Sequence, residues 1–213
     1  MLQLRHRASR IESATVLEIG TGSGVVMATM LALGASRALG VDLEPGAVTC
    51  TLALLQALGL DGHARVVQGD MWAPCAGQRF DIIAANLPQF PLLQTLADGR
   101  LPSWSSGGAD GRALIDRFLR GLTAHLEPGG LVVMTHNAFV DLQHTHDMLR
   151  TAGLVATVAS TVSVPLALPK LAGLPPPLLQ ACLGRGLHRV GEYAFADFHV
   201  LEISHAGRSA TAR

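Results

Sequence analysis

A short apolar stretch that runs straight into three glycines at alternate positions constrains this chain most. Residues 16–19 precede Gly20, Gly22 and Gly24, and Glu18 lies just ahead of the glycines. Glycines at a strand-to-helix turn permit φ > 0 and let a ligand approach the backbone, while free N–H groups of the next helix face that ligand. The sequence therefore predicts a nucleotide-type cofactor site at the carboxyl edge of a parallel sheet.

The spacing of the glycines separates two kinds of nucleotide ligand. A dinucleotide-binding turn needs Gly-x-Gly-x-x-Gly/Ala, and the third position of that pattern falls here on Val25, which is too large. The Gly-x-Gly-x-Gly run with Glu18 before it suits a cationic amino-acid ligand better than a pyrophosphate. Tight strand-to-helix turns also use glycine for structural reasons alone, so the residues downstream decide the matter.

Three later apolar stretches each end in a polar residue that would reach the same sheet edge. Asp42 ends the second stretch twenty-two residues after Gly20, which is about the separation at which a carboxylate accepts from ribose hydroxyls. Asp70 ends the third stretch and Asn86 ends the fourth. Helix capping by Asp42 ahead of Pro45, and a plain turn role for Asp70, remain alternative interpretations.

This succession of a glycine loop and strand-end residues resembles motif I and the later motifs of the class I S-adenosylmethionine (SAM) methyltransferases. The resemblance implies SAM as cofactor, with its ribose on Asp42 and its adenine amino group on Asp70. It also implies that Glu18 holds the cationic end of SAM through water or through the loop, and it implies no metal. The implied cofactor-binding residues are Glu18, Gly20, Thr21, Gly22, Gly24, Asp42, Leu43, Asp70, Met71 and Asn86.

The segment Asn86-Leu87-Pro88-Gln89 resembles the Asn-Pro-Pro-Tyr motif of methyltransferases that act on planar nitrogens. In those enzymes the Asn side chain and the following carbonyl accept from the substrate NH₂, and the aromatic residue stacks on the planar group. The resemblance makes Asn86, Leu87 and Pro88 the expected catalytic segment. Gln89 stands in place of the aromatic residue and removes the stacking surface, and Phe90, one residue further on, is expected to point elsewhere.

These departures favour a small-molecule acceptor that offers a nitrogen or another nucleophile. Two further runs, at residues 107–111 and 126–130, are typical of the methyltransferase small-domain group, which contains release-factor and ribosomal-protein glutamine methyltransferases. Glutamine methylation of a translation factor or ribosomal protein is therefore one alternative, although only about fourteen residues precede the first predicted strand. That leaves no room for the helical amino-terminal domain with which release-factor enzymes hold their substrate. A SAM-binding partner subunit without catalysis is the other alternative.

Composition agrees with one compact enzyme domain. A chain of 213 residues with 49% hydrophobic residues can bury one core and leaves little for a second domain. Its 16 basic and 16 acidic residues balance, so no nucleic-acid partner is indicated. No signal-peptide or membrane segment is evident, and three isolated cysteines show no metal spacing. These features predict a cytoplasmic protein.

The alternation of strand and helix patterns predicts a Rossmann-like, doubly wound α/β fold with a seven-stranded sheet whose last strand is antiparallel. Residues 1–14 are expected to be a solvated amino-terminal tail and residues 15–213 the methyltransferase domain. Within that domain, residues 162–190 are predicted to form an insertion between the last two strands, either a cap over the acceptor pocket or a homodimer surface. The helix from residue 46 is predicted to bury Val48, Leu52, Leu55 and Leu58.

His136 and Asn137 follow the fifth predicted strand at the same sheet edge. They are candidates for contact with the acceptor, or they form an ordinary polar loop terminus. His144 and His146 are two residues apart, and a helix turns such residues to different faces, so a solvated face is expected there instead of a metal site.

Overall fold

Parallel strands alternate with helices along most of the chain in the computed structural model, which describes residues 1–91, 106–166, 171 and 176–207. The described strands are β1 (Thr15–Ile19), β2 (Arg37–Asp42), β3 (Ala64–Gln68), β4 (Phe80–Ala85), β5 (Leu126–Asn137), β6 (Leu154–Leu166), β7 (Leu187–Val190) and β8 (Tyr193–His205). The described α-helices are α1 (Leu2–His6), α2 (Ala8–Ile11), α3 (Val25–Ala32), α4 (Pro45–Ala57), α5 (Ala113–His125), α6 (Leu142–Thr151) and α7 (Pro176–Cys182).

The strand order is β3-β2-β1-β4-β5-β8-β6, with β1 to β5 parallel and β8 antiparallel to both of its neighbours. The predicted doubly wound sheet with an antiparallel last strand is thereby confirmed. The part of the chain that the structure describes adds an eighth strand, β7, which pairs with β8.

Strand register brings the predicted site residues to one edge. Ile19 pairs with Val41 on one side and with Ala85 on the other. The next residues along these three strands are Gly20, Asp42 and Asn86, so all three emerge at the carboxyl edge of the sheet. In open α/β sheets this edge is where ligands bind.

Two apolar layers enclose the sheet. One face packs on α3 and α4 through residues such as Met27 and Leu55, and the other packs on α5 and α6 through Phe118 and Leu149. The prediction for α4 is partly wrong, because Leu52 and Leu58 are 43% and 55% exposed. The helix turns Thr51 inward with Leu55, since Thr51 lies against the glycine loop.

The expectation of a solvated amino-terminal tail is wrong. Residues 2–11 form α1 and α2, and the buried side chains of Leu4 and Ile11 pack in the same core layer as α3. The Arg7 guanidinium forms two hydrogen bonds of 2.8 Å to the Glu202 carboxylate on β8. Hydrogen bonding to Arg7 holds the pKa of Glu202 below its ordinary value. The tail is therefore tied to the last strand.

The insertion predicted at residues 162–190 is shorter than expected, because strands occupy both of its ends. Residues 162–166 continue β6, and Leu187–Val190 form β7. Between them, residues 167–170 and 172–175 lie outside the described residues. Trp104, for which the sequence alone suggests either a loop anchor or closure over the ligand, lies outside them too. Helix α7 packs its leucines beside Phe90 and Phe139. None of the described helices has the length and apolar character needed to cross a membrane.

Candidate active site

The glycine loop joins the end of β1 to α3 and packs directly on α4. Gly20 and Gly24 both have φ of +78°, a backbone region that glycine adopts without steric cost. A side chain on Gly24 would place its Cβ 2.9 Å from the Thr51 Cα, so only glycine allows this approach of loop and helix. A Cβ on Gly22 would meet nothing within 4 Å, which leaves open space on that side of the loop.

Glu18 lies beneath this loop and caps α3. Its carboxylate is buried, and Oε2 accepts a hydrogen bond of 2.9 Å from the backbone N–H of Met27, in the first turn of the helix. Burial raises the pKa of Glu18 to about 8, and the nearby Asp42 charge adds to that shift. No local sequence signal indicates this capping role, since the capped N–H lies nine residues further along the chain.

Asp42 connects the end of β2 to the loop. Its Oδ2 accepts from the Gly22 N–H at 2.9 Å, and its Oδ1 accepts from the Glu44 N–H at 3.0 Å. Asp42 therefore orders the turn before α4 and also positions the glycine loop. Beside it, the Leu43 side chain is 61% exposed, and the buried Thr21 hydroxyl has no hydrogen-bond partner among the described residues.

Asp70 lies beyond β3 at the same edge and is exposed. Its Oδ2 accepts a 2.8 Å hydrogen bond from Arg117 on α5. Met71, which follows, is buried at a φ of +52°, a conformation that non-glycine residues seldom adopt. Together these residues line part of a shallow depression of about 360 Å³ with Trp72, Ala73 and Arg120.

Asn86 presents its side-chain amide at the end of β4. The residue is exposed, and its Oδ1 accepts a 2.6 Å hydrogen bond from the Thr135 hydroxyl on β5. A Cβ on Gly20 would lie 3.6 Å from Leu87 Cδ2 and 3.9 Å from the Asn86 carbonyl oxygen. The glycine loop and the Asn86 segment are therefore direct neighbours. Nothing in the sequence indicated Thr135, because its relation to Asn86 exists only across the sheet.

Gln89 turns inward and fastens the segment to β5. The side chain is 3% exposed, and its Nε2 donates to the Leu87 carbonyl at 3.3 Å and to the Thr135 carbonyl at 2.8 Å. Its Oε1 accepts from the Asn137 N–H at 2.7 Å. Gln89 thus offers no surface for stacking. Phe90 points elsewhere as expected, into an edge-to-face contact with Phe139 at 5.4 Å.

The glycines of residues 107–111 pack on the backbone of Gln89. A Cβ on Gly107 would lie 2.8 Å from the Gln89 Cα, and a Cβ on Gly111 would lie 2.4 Å from the Gln89 carbonyl oxygen. Gly111 also has a φ of +81°. Residues 107–111 therefore pack against the segment that contains Asn86 and help to hold its backbone in place.

His136 and Asn137 are the last residues of β5 instead of a loop after it. His136 is fully buried and bonds to the Thr145 hydroxyl at 2.9 Å, and burial lowers its pKa to about 4. It is a neutral structural residue. Asn137 is buried too, but its Oδ1 has no hydrogen-bond partner among the described residues. In that part of the chain no three His, Cys, Asp or Glu residues form a group that could hold a metal.

Comparisons with known proteins find methyltransferases. The family model for ribosomal protein L11 methyltransferase (PrmA) matches residues 2–106. A Methanocaldococcus jannaschii chain with the provisional name protein N5-glutamine methyltransferase is 30% identical over 159 residues, which are 73% of this chain and 78% of that one. The release factor glutamine methyltransferase of Moorella thermoacetica is 32% identical over 60% of this chain and only 47% of its own length.

A solved structure shares the fold. The Pyrococcus horikoshii chain, described provisionally as an RNA methyltransferase, superposes with a TM-score of 0.64 at 20% identity, covering 96% of this chain and 80% of that one. At this identity the likeness concerns the fold alone.

Proposed function

Because this chain belongs to the class I SAM-dependent methyltransferases of the small-domain group, we propose that it methylates the side-chain amide nitrogen of a glutamine in a protein. The observation that carries this proposal is that the glycine loop lies beside the backbone carbonyl of Asn86, a residue whose side chain is exposed at the end of β4. The Asn86 side chain supports the proposal because it offers a hydrogen-bonding amide near the loop at which we expect the cofactor, and a planar amide substrate would have to lie there.

The acceptor assignment departs from the sequence-based expectation. The sequence favours a small-molecule acceptor, because Gln89 removes the stacking surface. The names of two relatives, from Methanocaldococcus jannaschii and Moorella thermoacetica, both refer to glutamine methylation, and these names support the protein-glutamine alternative instead. The chain spans about half of the Moorella protein, so the substrate of that protein serves here only as a model.

The residues at the glycine loop fit a SAM-type cofactor. The open side of Gly22, the unpartnered Thr21 hydroxyl and the exposed Leu43 side chain all lie in the turns that follow β1 and β2. We assign the ribose hydroxyls to Asp42 and the adenine amino group to Asp70, whose Oδ2 already accepts from Arg117. When bound, SAM supplies an activated methyl group on a sulfonium.

The acceptor segment, residues 86–89, acts mainly by orienting the substrate amide. Asn86 Oδ1 and the Leu87 carbonyl accept an N–H of the substrate amide, which restores electron density to a nitrogen lone pair otherwise delocalised into the carbonyl. Transfer would form an N–C bond to the substrate nitrogen as the S–C bond of the donor breaks, with S-adenosylhomocysteine as the leaving group, and one N–H proton would pass from the nitrogen to solvent water. The leaving group is already good, so alignment and exclusion of water make the main contribution, roughly 7–11 kcal/mol in well-oriented systems.

The proposal is tested by incubating the purified protein and labelled SAM with a bacterial release factor and with ribosomal protein L11. N5-methylglutamine in the product, identified by mass spectrometry, is the expected result. Asn86→Ala should reduce transfer about a hundredfold or more while S-adenosylhomocysteine binding, measured by calorimetry, stays unchanged. Methyl transfer to a residue other than glutamine, or equal loss of binding and transfer in Asn86→Ala, would contradict the proposed acceptor site.

A further inference from the structure

We infer that Asn137 is a substrate-binding residue whose side-chain oxygen accepts an N–H of the acceptor amide, an inference that rests on the proposed function. Asn137 ends β5 two residues after Thr135. Side chains two apart on a strand point to the same face. Thr135 reaches Asn86 from that face, so the Asn137 side chain lies on the Asn86 side of the sheet.

The backbone of Asn137 is joined to the same segment. Its N–H donates to Gln89 Oε1 at 2.7 Å, while Gln89 Nε2 reaches the Leu87 carbonyl at 3.3 Å. A single side chain thus connects Asn137 to the carbonyl that is expected to bind the substrate.

The oxygen of the Asn137 side chain is the least satisfied acceptor in this group. Asn86 Oδ1 already accepts from Thr135, and the Leu87 carbonyl already accepts from Gln89. Asn137 Oδ1 is buried in a residue that is 3% exposed, and no described residue donates to it. A buried carbonyl without a donor costs free energy, and the few such groups in folded proteins need an explanation.

The missing donor defines the ligand chemistry. A carbonyl oxygen takes only a donor, and a primary carboxamide carries two N–H groups on the nitrogen that is to be methylated. One N–H would go to the Asn86 and Leu87 oxygens and the other to Asn137. Such a site rejects ligands that lack the N–H, since the buried oxygen would then remain unpaired.

The test compares Asn137→Leu with Thr145→Val. Both changes replace a buried polar group by an apolar one of similar size, but the Thr145 hydroxyl is bonded to His136 and Arg112 on the other face of β5. We expect Asn137→Leu to keep or raise the melting temperature, to leave S-adenosylhomocysteine affinity unchanged, and to raise KM for the protein substrate about tenfold or more. Thr145→Val should lower the melting temperature and leave KM unchanged.

An unchanged KM in Asn137→Leu, or a melting temperature that falls as in Thr145→Val, would overturn the inference and leave the proposed function intact. If the wild-type protein methylates no glutamine, the proposed function fails and a binding measurement decides the inference. Asn86 and Asn137 are the two asparagines of the chain, so ¹⁵N-asparagine labelling gives two side-chain amide signals. N-acetylglutamine methylamide, added with S-adenosylhomocysteine, should shift both signals. A shift of the Asn86 signal alone, or of neither, would overturn the inference.

Discussion

The glycine loop at residues 20–24 and the acceptor segment at residues 86–89 are held in place by different chemistry. A buried, hydrogen-bonded polar side chain anchors each of them: Glu18 lies beneath the glycine loop, and Gln89 ends the acceptor segment. Glu18 is a titratable carboxyl group with one hydrogen bond, to a helix N-terminus. Gln89 is a neutral amide with three hydrogen bonds, to the acceptor segment and to β5. The loop therefore depends on a titrating group, whereas the acceptor segment does not.

The groups that surround each side chain explain why one position has a carboxyl group and the other an amide. The free N–H groups of a helix N-terminus favour an anion or another acceptor. The gap between β5 and the acceptor segment presents two carbonyls and one N–H, and only an amide can both donate to the carbonyls and accept from the N–H. We therefore expect substitution of Gln89 to lower the free energy of unfolding at every pH, and substitution of Glu18 to change it by an amount that depends on pH.

The largest effect is expected for Gln89→Met. The change leaves the Leu87 and Thr135 carbonyls and the Asn137 N–H unpaired, so unfolding free energy should fall by about 3–5 kcal/mol. Denaturant unfolding measures the change, with Gln68→Met as the control, because the exposed Gln68 makes one hydrogen bond, to the Leu43 carbonyl. Equal effects of the two substitutions would show that the buried amide has no special structural role.

Glu18→Gln should flatten the pH dependence of stability. The pKa of Glu18 is about 8 in the folded chain against 4.5 for the ordinary group. Between these values the folded chain holds a proton that the unfolded chain has lost, so stability falls as pH rises through this window. Denaturation at pH 5 and pH 9 should show Glu18→Gln gaining about 2–4 kcal/mol on the wild type at the higher pH. The exposed Glu44→Gln is the control, and parallel curves for the wild type and Glu18→Gln would refute the assignment.

Asp42→Ala tests the cofactor side alone. Loss of the carboxylate frees the Gly22 and Glu44 N–H groups and removes the proposed ribose partner, so S-adenosylhomocysteine affinity should fall about tenfold to a hundredfold. Calorimetric titration measures it, with the exposed Asp61→Ala as control. If affinity is unchanged, the ribose does not lie at Asp42.

Thr135→Val tests the acceptor side with the smallest expected effect. The Asn86 amide loses the hydroxyl that orients it, so kcat should fall about threefold to tenfold without a change in cofactor affinity. The matched control is Thr157→Val, at an exposed position of β6. A weaker cofactor affinity in Thr135→Val would instead assign Thr135 to the cofactor side.

The sequence was informative where the signal is local and weak where partners are distant. Apolar stretches and glycine spacing predicted β1 to β5 and the shared edge of Gly20, Asp42 and Asn86. The packing of residues 2–11 was missed because Arg7 finds Glu202 far away in the chain. Thr135 was missed for the same reason, since the sequence around a strand threonine does not show which residue lies next to it on the neighbouring strand.

The pairing of β6 determines the order in which parts of the domain can fold during synthesis. Among the described strands its only partner is β8, which begins at Tyr193, twenty-seven residues after β6 ends at Leu166. During synthesis, β6 is therefore made before the strand that pairs with its backbone groups. Arg7 likewise has no Glu202 carboxylate to bind until β8 has been made. Such an open strand can pair with other nascent chains. Synthesis of β8 supplies both the strand that pairs with β6 and the Glu202 carboxylate that binds Arg7. A polypeptide that stops before Tyr193 therefore lacks the partner of its first helices as well as the partner of β6.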